Sequence, residues 1–135
     1  MGSEMCIRDS DSSLYFSSIN YDKYSIALDL KKQDDKKIFE KLLAKSDFLV
    51  ENYRPGTMEK LGYAWDDLQQ KYPQLIYGSL SGFGLTGPMA AMPAYDLVVQ
   101  ALGGVMSLTG HPGQPPVRVG VSIGDLASGL SLIHI

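Results

Sequence analysis

Two short stretches carry side chains and turns that could do chemistry. Gly82-Phe-Gly84-Leu-Thr-Gly87 follows an apolar run and matches G-x-G-x-x-G, the turn that brings a pyrophosphate to a helix N-terminus. Asp125 lies in Gly120-Val-Ser-Ile-Gly-Asp-Leu-Ala127, a carboxylate near the start of a helical pattern. Such a carboxylate caps peptide NH groups; in a cleft the same oxygen can act as a nucleophile. The residues alone leave both uses open. Arg54, just before Pro55-Gly56, offers a planar fork for a phosphate or is a surface arginine before a turn. Lys60 is a cation on a short helix, where plain solvation is its ordinary role.

The glycine motif does not hold as a dinucleotide fingerprint. Pro88 fits a first helical turn, but Pro93 stops any helix soon after it. The acid that should follow about 20 residues on to bind a ribose is missing, since positions 101–110 contain none. The motif then reads as a tight turn needing positive φ, or as a close backbone approach to a ligand.

Composition narrows the field. With 44% hydrophobic and 20% charged residues over 135 positions, the chain reads as one ordinary globular domain. A net charge of −3 gives no broad basic face, so nucleic acid is excluded as the main partner. The lone Cys6 rules out a disulfide framework, and His111 and His134 are too few and too far apart for a zinc site. His111, before Pro112, reads as a loop residue. No run approaches the length of a membrane span, and a cytoplasmic location is the default. Residues 1–12 show no periodicity and are expected to be a non-native or disordered leader. The apolar run at 131–135 stops without a cap and is expected to be a non-native tail, leaving a partial domain over 13–130.

The positioning elements follow from periodicity. Tyr24–Leu30 alternates with period two and predicts a strand. Asp34 and Asp35 open a helix with Ile38, Phe39, Leu42 and Leu43 on one face. Asp47–Glu51 predicts a second strand, completing a right-handed βαβ unit. Helices are expected over Thr57–Leu61, closed by Gly62, and over Trp65–Lys71, stopped by Pro73. Leu75–Leu80 predicts a strand, Gly82–Pro93 a loop, Ala94–Leu102 a helix and Gly110–Pro116 a turn-rich loop. Val117–Ile123 reads as extended, and a last helix begins near Asp125. The fold class is α/β with a parallel sheet, whose ligands sit beyond the carboxyl ends of the strands. That places Glu51–Gly56 and Ser81–Pro88 at the site.

Several segments in series resemble one family. They are Asn20–Lys31, Asp47-Phe-Leu-Val-Glu-Asn-Tyr-Arg-Pro-Gly56, Glu59–Gly62, Pro73–Tyr77, Ser81-Gly-Phe-Gly-Leu-Thr-Gly-Pro88, Tyr95-Asp96 with Gln100-Ala101, and Gly120–Asp125 with Gly129. Their order and spacing over about 14–130 are similar to the N-terminal region of family III (CaiB/BaiF-type) coenzyme A transferases, the group of formyl-CoA and carnitine-CoA transferases. The resemblance implies a Rossmann-like large domain, here incomplete, from a longer protein that forms interlocked homodimers. It implies acyl-CoA and a carboxylic acid as partners, with coenzyme A as substrate and no permanently bound cofactor.

The resemblance also assigns roles. Asp125 matches the aspartate that takes the acyl group as a mixed anhydride. Asn52, Tyr53 and Arg54 match a loop against CoA, and Lys60 a cation near its phosphate. Leu28, Asp29, Leu30 and Lys31 match a segment lining the adenine pocket, although Leu28 and Leu30 read equally well as the end of a core strand. Tyr95, before Asp96, stands where related α-methylacyl-CoA racemases carry a His. A phenol is a poor partner for α-proton exchange near neutral pH, which favours transfer over racemisation. The third alternative is an inactive CoA-binding fragment.

Overall fold

A computed structural model of the chain describes residues 14–134; the expected leader at 1–12, with Cys6, lies outside them. Helix α1 spans Leu14–Ile19 and α2 Gln33–Leu43, followed by strand β1 at Phe48–Glu51. Helices α3 (Thr57–Leu61) and α4 (Trp65–Lys71) lead to strand β2 at Ile76–Ser79. Then come α5 (Asp96–Leu102), a 3-10 turn at Val105–Leu108 and α6 (Ile123–His134).

β1 and β2 pair in parallel, Phe48 opposite Ile76 through Glu51 opposite Ser79. A parallel pair needs a crossover, and α3 with α4 supplies it. Gly62 closes α3 at φ 88°, the left-handed conformation that suits glycine. The Lys36 ammonium donates to the Leu61 carbonyl at 2.7 Å, satisfying the same helix end.

The core sits between α2 and this crossover. Leu43, Met58, Tyr63, Leu68, Tyr72 and Leu75 are buried together, with Leu30, Phe39, Leu49, Leu61 and Tyr77 packed around them. The Phe39 and Tyr63 rings meet edge to face, centroids 5.0 Å apart.

One expected strand is not formed. Residues 24–30 join no ladder, and Tyr24 and Ile26 stand 106% and 57% exposed. Alternation supplies the side chains of a strand but not its hydrogen-bond partner, and no described segment lies alongside to provide one. Residues 117–122, read as extended, join no ladder among the described residues. The last helix begins at Ile123 and runs through 131–134, so Asp125 lies inside its first turn, two residues later than a helix opened by Asp125 would have it.

Candidate active site

Loops at the carboxyl ends of both strands border one open cleft of about 440 Å³. Asn52, Tyr53 and Arg54 form one wall after β1, and Ser81 and Gly82 another after β2. Tyr95 at the N-cap of α5, Val99 within it, and Gly124, Asp125 and Ser128 of α6 close the third side. Of the residues singled out in the sequence, Asp125, Asn52, Tyr53, Arg54 and Tyr95 therefore converge. Lys60 is exposed on α3, and neither it nor Leu28–Lys31 borders this cleft.

Residues 28–31 instead make the turn into α2. The Asp29 amide donates to the Asp35 carboxylate at 2.8 Å, and the Asp29 carboxylate accepts the Lys31 amide at 3.1 Å. Leu30 packs on the core.

Glu51 shapes the wall after β1. Its two carboxylate oxygens accept the Tyr53 amide at 2.7 Å and the Tyr77 hydroxyl at 3.0 Å. Burial, and then the bond to Glu51, push the Tyr77 phenol up to about 12. Trp65 stacks on the same ring, centroids 5.5 Å apart.

The glycines after β2 divide their work. Gly84 and Gly87 hold φ of 77° and 93°, the turn conformation that the motif implied. Gly82 is a close approach, since a Cβ there would lie 2.0 Å from the Ala94 Cβ. No helix starts after Gly87, so the run does not present a helix N-terminus to a pyrophosphate.

At the third wall, Asp96 reaches from α5 to α6. Its Oδ1 accepts the Gly124 amide at 2.8 Å, and its Oδ2 accepts the Gln100 carboxamide at 2.7 Å. Asp125 itself is exposed at the rim. Partial burial, and then the charge of Asp96, raise its carboxyl above the ordinary 3.8, although a helix start by itself favours the ionised form. In the first turn of α6 the Ile123 amide donates to Val121 and the Leu126 amide to Ser122. Among the described residues the amide of Asp125 carries no such bond.

Asp96, Gln100 and Glu51 were not singled out in the sequence for any role. The readable signal was the i, i+4 spacing of Asp96 and Gln100, which sets a carboxylate and a carboxamide on one helix face. Among the described residues no three His, Cys, Asp or Glu side chains gather as metal ligands.

The fold agrees with comparisons to known proteins. The sequence profile of CoA-transferase family III matches residues 3–134. The acetyl-CoA:oxalate CoA-transferase of Acetobacter aceti is 51% identical over 121 residues, 89% of this chain and 31% of that protein. The formyl-CoA:oxalate CoA-transferase of Streptomyces coelicolor is 41% identical over 121 residues, 90% of this chain and 29% of its own length. A CaiB/BaiF family protein from Brucella suis superposes with a TM-score of 0.83 at 36% identity, over 91% of this chain and 34% of that one. The chain belongs to CoA-transferase family III. It spans about a third of the length of the curated relatives it matches.

Proposed function

We propose that the protein to which this chain corresponds moves coenzyme A from an acyl-CoA thioester to a carboxylic acid, with Asp125 as the acyl-accepting carboxylate. The observation that supports this reading is the convergence of Asp125 with Asn52, Tyr53 and Arg54 on one cleft at the strand ends. The Asp125 oxygen attacks the thioester carbonyl, the C–S bond breaks, CoA leaves as the thiolate, and a mixed anhydride remains on Asp125. The thiolate attacks the aspartyl carbonyl and expels the donor acid as its carboxylate, leaving an aspartyl-CoA thioester. The acceptor carboxylate attacks that thioester, expels the thiolate and forms a second anhydride. The thiolate then takes the acceptor acyl carbon, which releases the new acyl-CoA and regenerates the Asp125 carboxylate. The free amide of Asp125 is available to the oxyanion that develops at the first step.

Arg54, with its planar donor fork, takes a CoA phosphate at the mouth of the cleft. Tyr95, 73% exposed at the rim, faces the acyl portion. Oxalate, named as acceptor in both transferase relatives, is a fitting acid, small and doubly anionic. Lys60 and Leu28–Lys31 keep a CoA role only if the nucleotide end of the ligand extends beyond the described cleft. The whole protein acts as a homodimer, without a resident cofactor, in the cytoplasm. No helix among the described residues is long and apolar enough to cross a membrane.

The test is chemical trapping in the full-length protein. Incubation with radiolabelled acyl-CoA and then hydroxylamine leaves a hydroxamate on Asp125, read by peptide mass spectrometry. Asp125→Ala loses the adduct and about 10³-fold or more in turnover. Full turnover by that variant ends the reading. Deuterium exchange at the substrate α-carbon without CoA transfer would show racemisation instead.

A further inference from the structure

Gln100 is a buried carboxamide, 1% exposed. Its Oε1 accepts the Val119 amide at 2.9 Å. Its Nε2 donates to Asp96 Oδ2 at 2.7 Å and to the Val121 carbonyl at 3.3 Å. A carboxamide is the side chain that can accept from one strand of backbone and donate to a carboxylate at once. Gln100 therefore ties α5 to the segment before α6 and sets the direction in which Asp96 points. The other oxygen of Asp96 holds the Gly124 amide, one residue before Asp125. Gly124 allows that approach closely, since a Cβ there would stand 3.1 Å from Asp96 Oδ1 and 3.4 Å from Val99 Cγ1. Gln100 does not border the cleft; it works from behind the wall.

We propose that Gln100 is the positioning residue of Asp125: it aims Asp96 at the first turn of α6 and so fixes the place and direction of the Asp125 carboxylate at the cleft rim. The role deepens the reading of Asp125 as the acyl acceptor and rests on it, but its test needs neither CoA nor turnover. Losing the carboxamide leaves the Val119 N–H and one Asp96 oxygen without these partners in a half-buried place, and the corner opens. The titratable and charged groups on the elements around it are Tyr95 just before α5, Asp96 of α5, Arg118 before α6, Asp125 of α6, and Tyr53 and Arg54 across the cleft. With Asp96 held in place, its charge acts on Asp125; once Asp96 is released, that influence fades.

The experiment is amide hydrogen exchange and carboxyl NMR titration on the full-length protein, as wild type, Gln100→Met and Gln100→Glu. Methionine keeps the length and loses every hydrogen bond. Glutamate keeps the acceptor for Val119 and sets a second carboxylate beside Asp96. Exchange at the Gly124 amide speeds up about tenfold or more in both variants at neutral pH, while the Leu43 and Leu68 amides stay protected. The Asp125 carboxyl titrates at lower pH in Gln100→Met than in wild type. In Gln100→Glu the Gly124 protection returns on acidification, when the 96/100 pair can share one proton.

Gly124 exchange within about twofold of wild type in Gln100→Met, with the core intact, overturns the proposal. If Gln100→Met fails to fold, Gln100→Glu decides, and absence of recovery on acidification overturns it. Failure of acyl trapping on Asp125 would instead sink the proposed chemistry and leave these exchange results as they stand.

Discussion

The two halves of the chain are held together by different means. From Leu43 to Leu75 the buried residues are apolar or aromatic and form one cluster, Leu43, Met58, Tyr63, Leu68, Tyr72 and Leu75. From Leu80 to His134 the buried residue among those described is Gln100, and the α5–α6 corner closes through the Gln100–Asp96 side-chain bond and the Val119 and Gly124 amides that these two side chains accept. Apolar packing has no direction and tolerates small shifts, whereas a hydrogen bond fixes distance and angle. The cleft draws its wall with Asp125 from the second half, where placement is set by directional bonds. The first half gives a rigid base; the second gives aim.

Substitutions that act on one half should leave the other recognisable. The largest effect is expected from Leu68→Ala. Leu68 is 2% exposed in the centre of the cluster, and its truncation costs about 2–5 kcal/mol, measured as a lower urea midpoint with unchanged slope. An effect below about 1 kcal/mol would show that the cluster is not what holds the first half. Gly82→Ala comes next. The added methyl meets the Ala94 Cβ at 2.0 Å, so the loop after β2 must move away from the start of α5, at about 1–3 kcal/mol. The change should reach the cleft and spare the core, which NMR shifts at Tyr95 and Leu68 would separate. The smallest effect has the opposite sign. The Tyr63 hydroxyl is buried without a hydrogen-bond partner among the described residues. Tyr63→Phe should therefore raise stability by up to about 1 kcal/mol, and a loss of that size would reveal a partner for the hydroxyl.

Legibility in the sequence divides along the same line. The helices at Thr57–Leu61 and Trp65–Lys71 fall where Gly62 and Pro73 end them, and the paired strands Phe48–Glu51 and Ile76–Ser79 fall inside the β-rich runs Asp47–Glu51 and Leu75–Leu80. These features depend on neighbours within a few positions, through capping, chain stiffness and periodicity. The segment at 24–30 shows where that reading stops. Its pattern is that of a strand, but a ladder needs hydrogen bonds from a second segment that local pattern does not identify. Likewise, Asp125 could be read as the residue that opens the last helix, because a cap and a first-turn acid look alike in sequence.

By itself, the sequence determined the parallel α/β class, the turns that demand glycine, and the motifs that placed Asn52, Tyr53, Arg54, Tyr95 and Asp125 as candidates for one site. Tertiary structure alone decided that these five border a common cleft while Leu28–Lys31 and Lys60 do not. It also decided that the carboxylate of Asp96 reaches the amide of Gly124, 28 positions away along the chain. The physical reason is one of range. Periodicity and capping act over a few residues of backbone, whereas a directional hydrogen bond between distant segments exists only once packing has brought donor and acceptor to within about 3 Å.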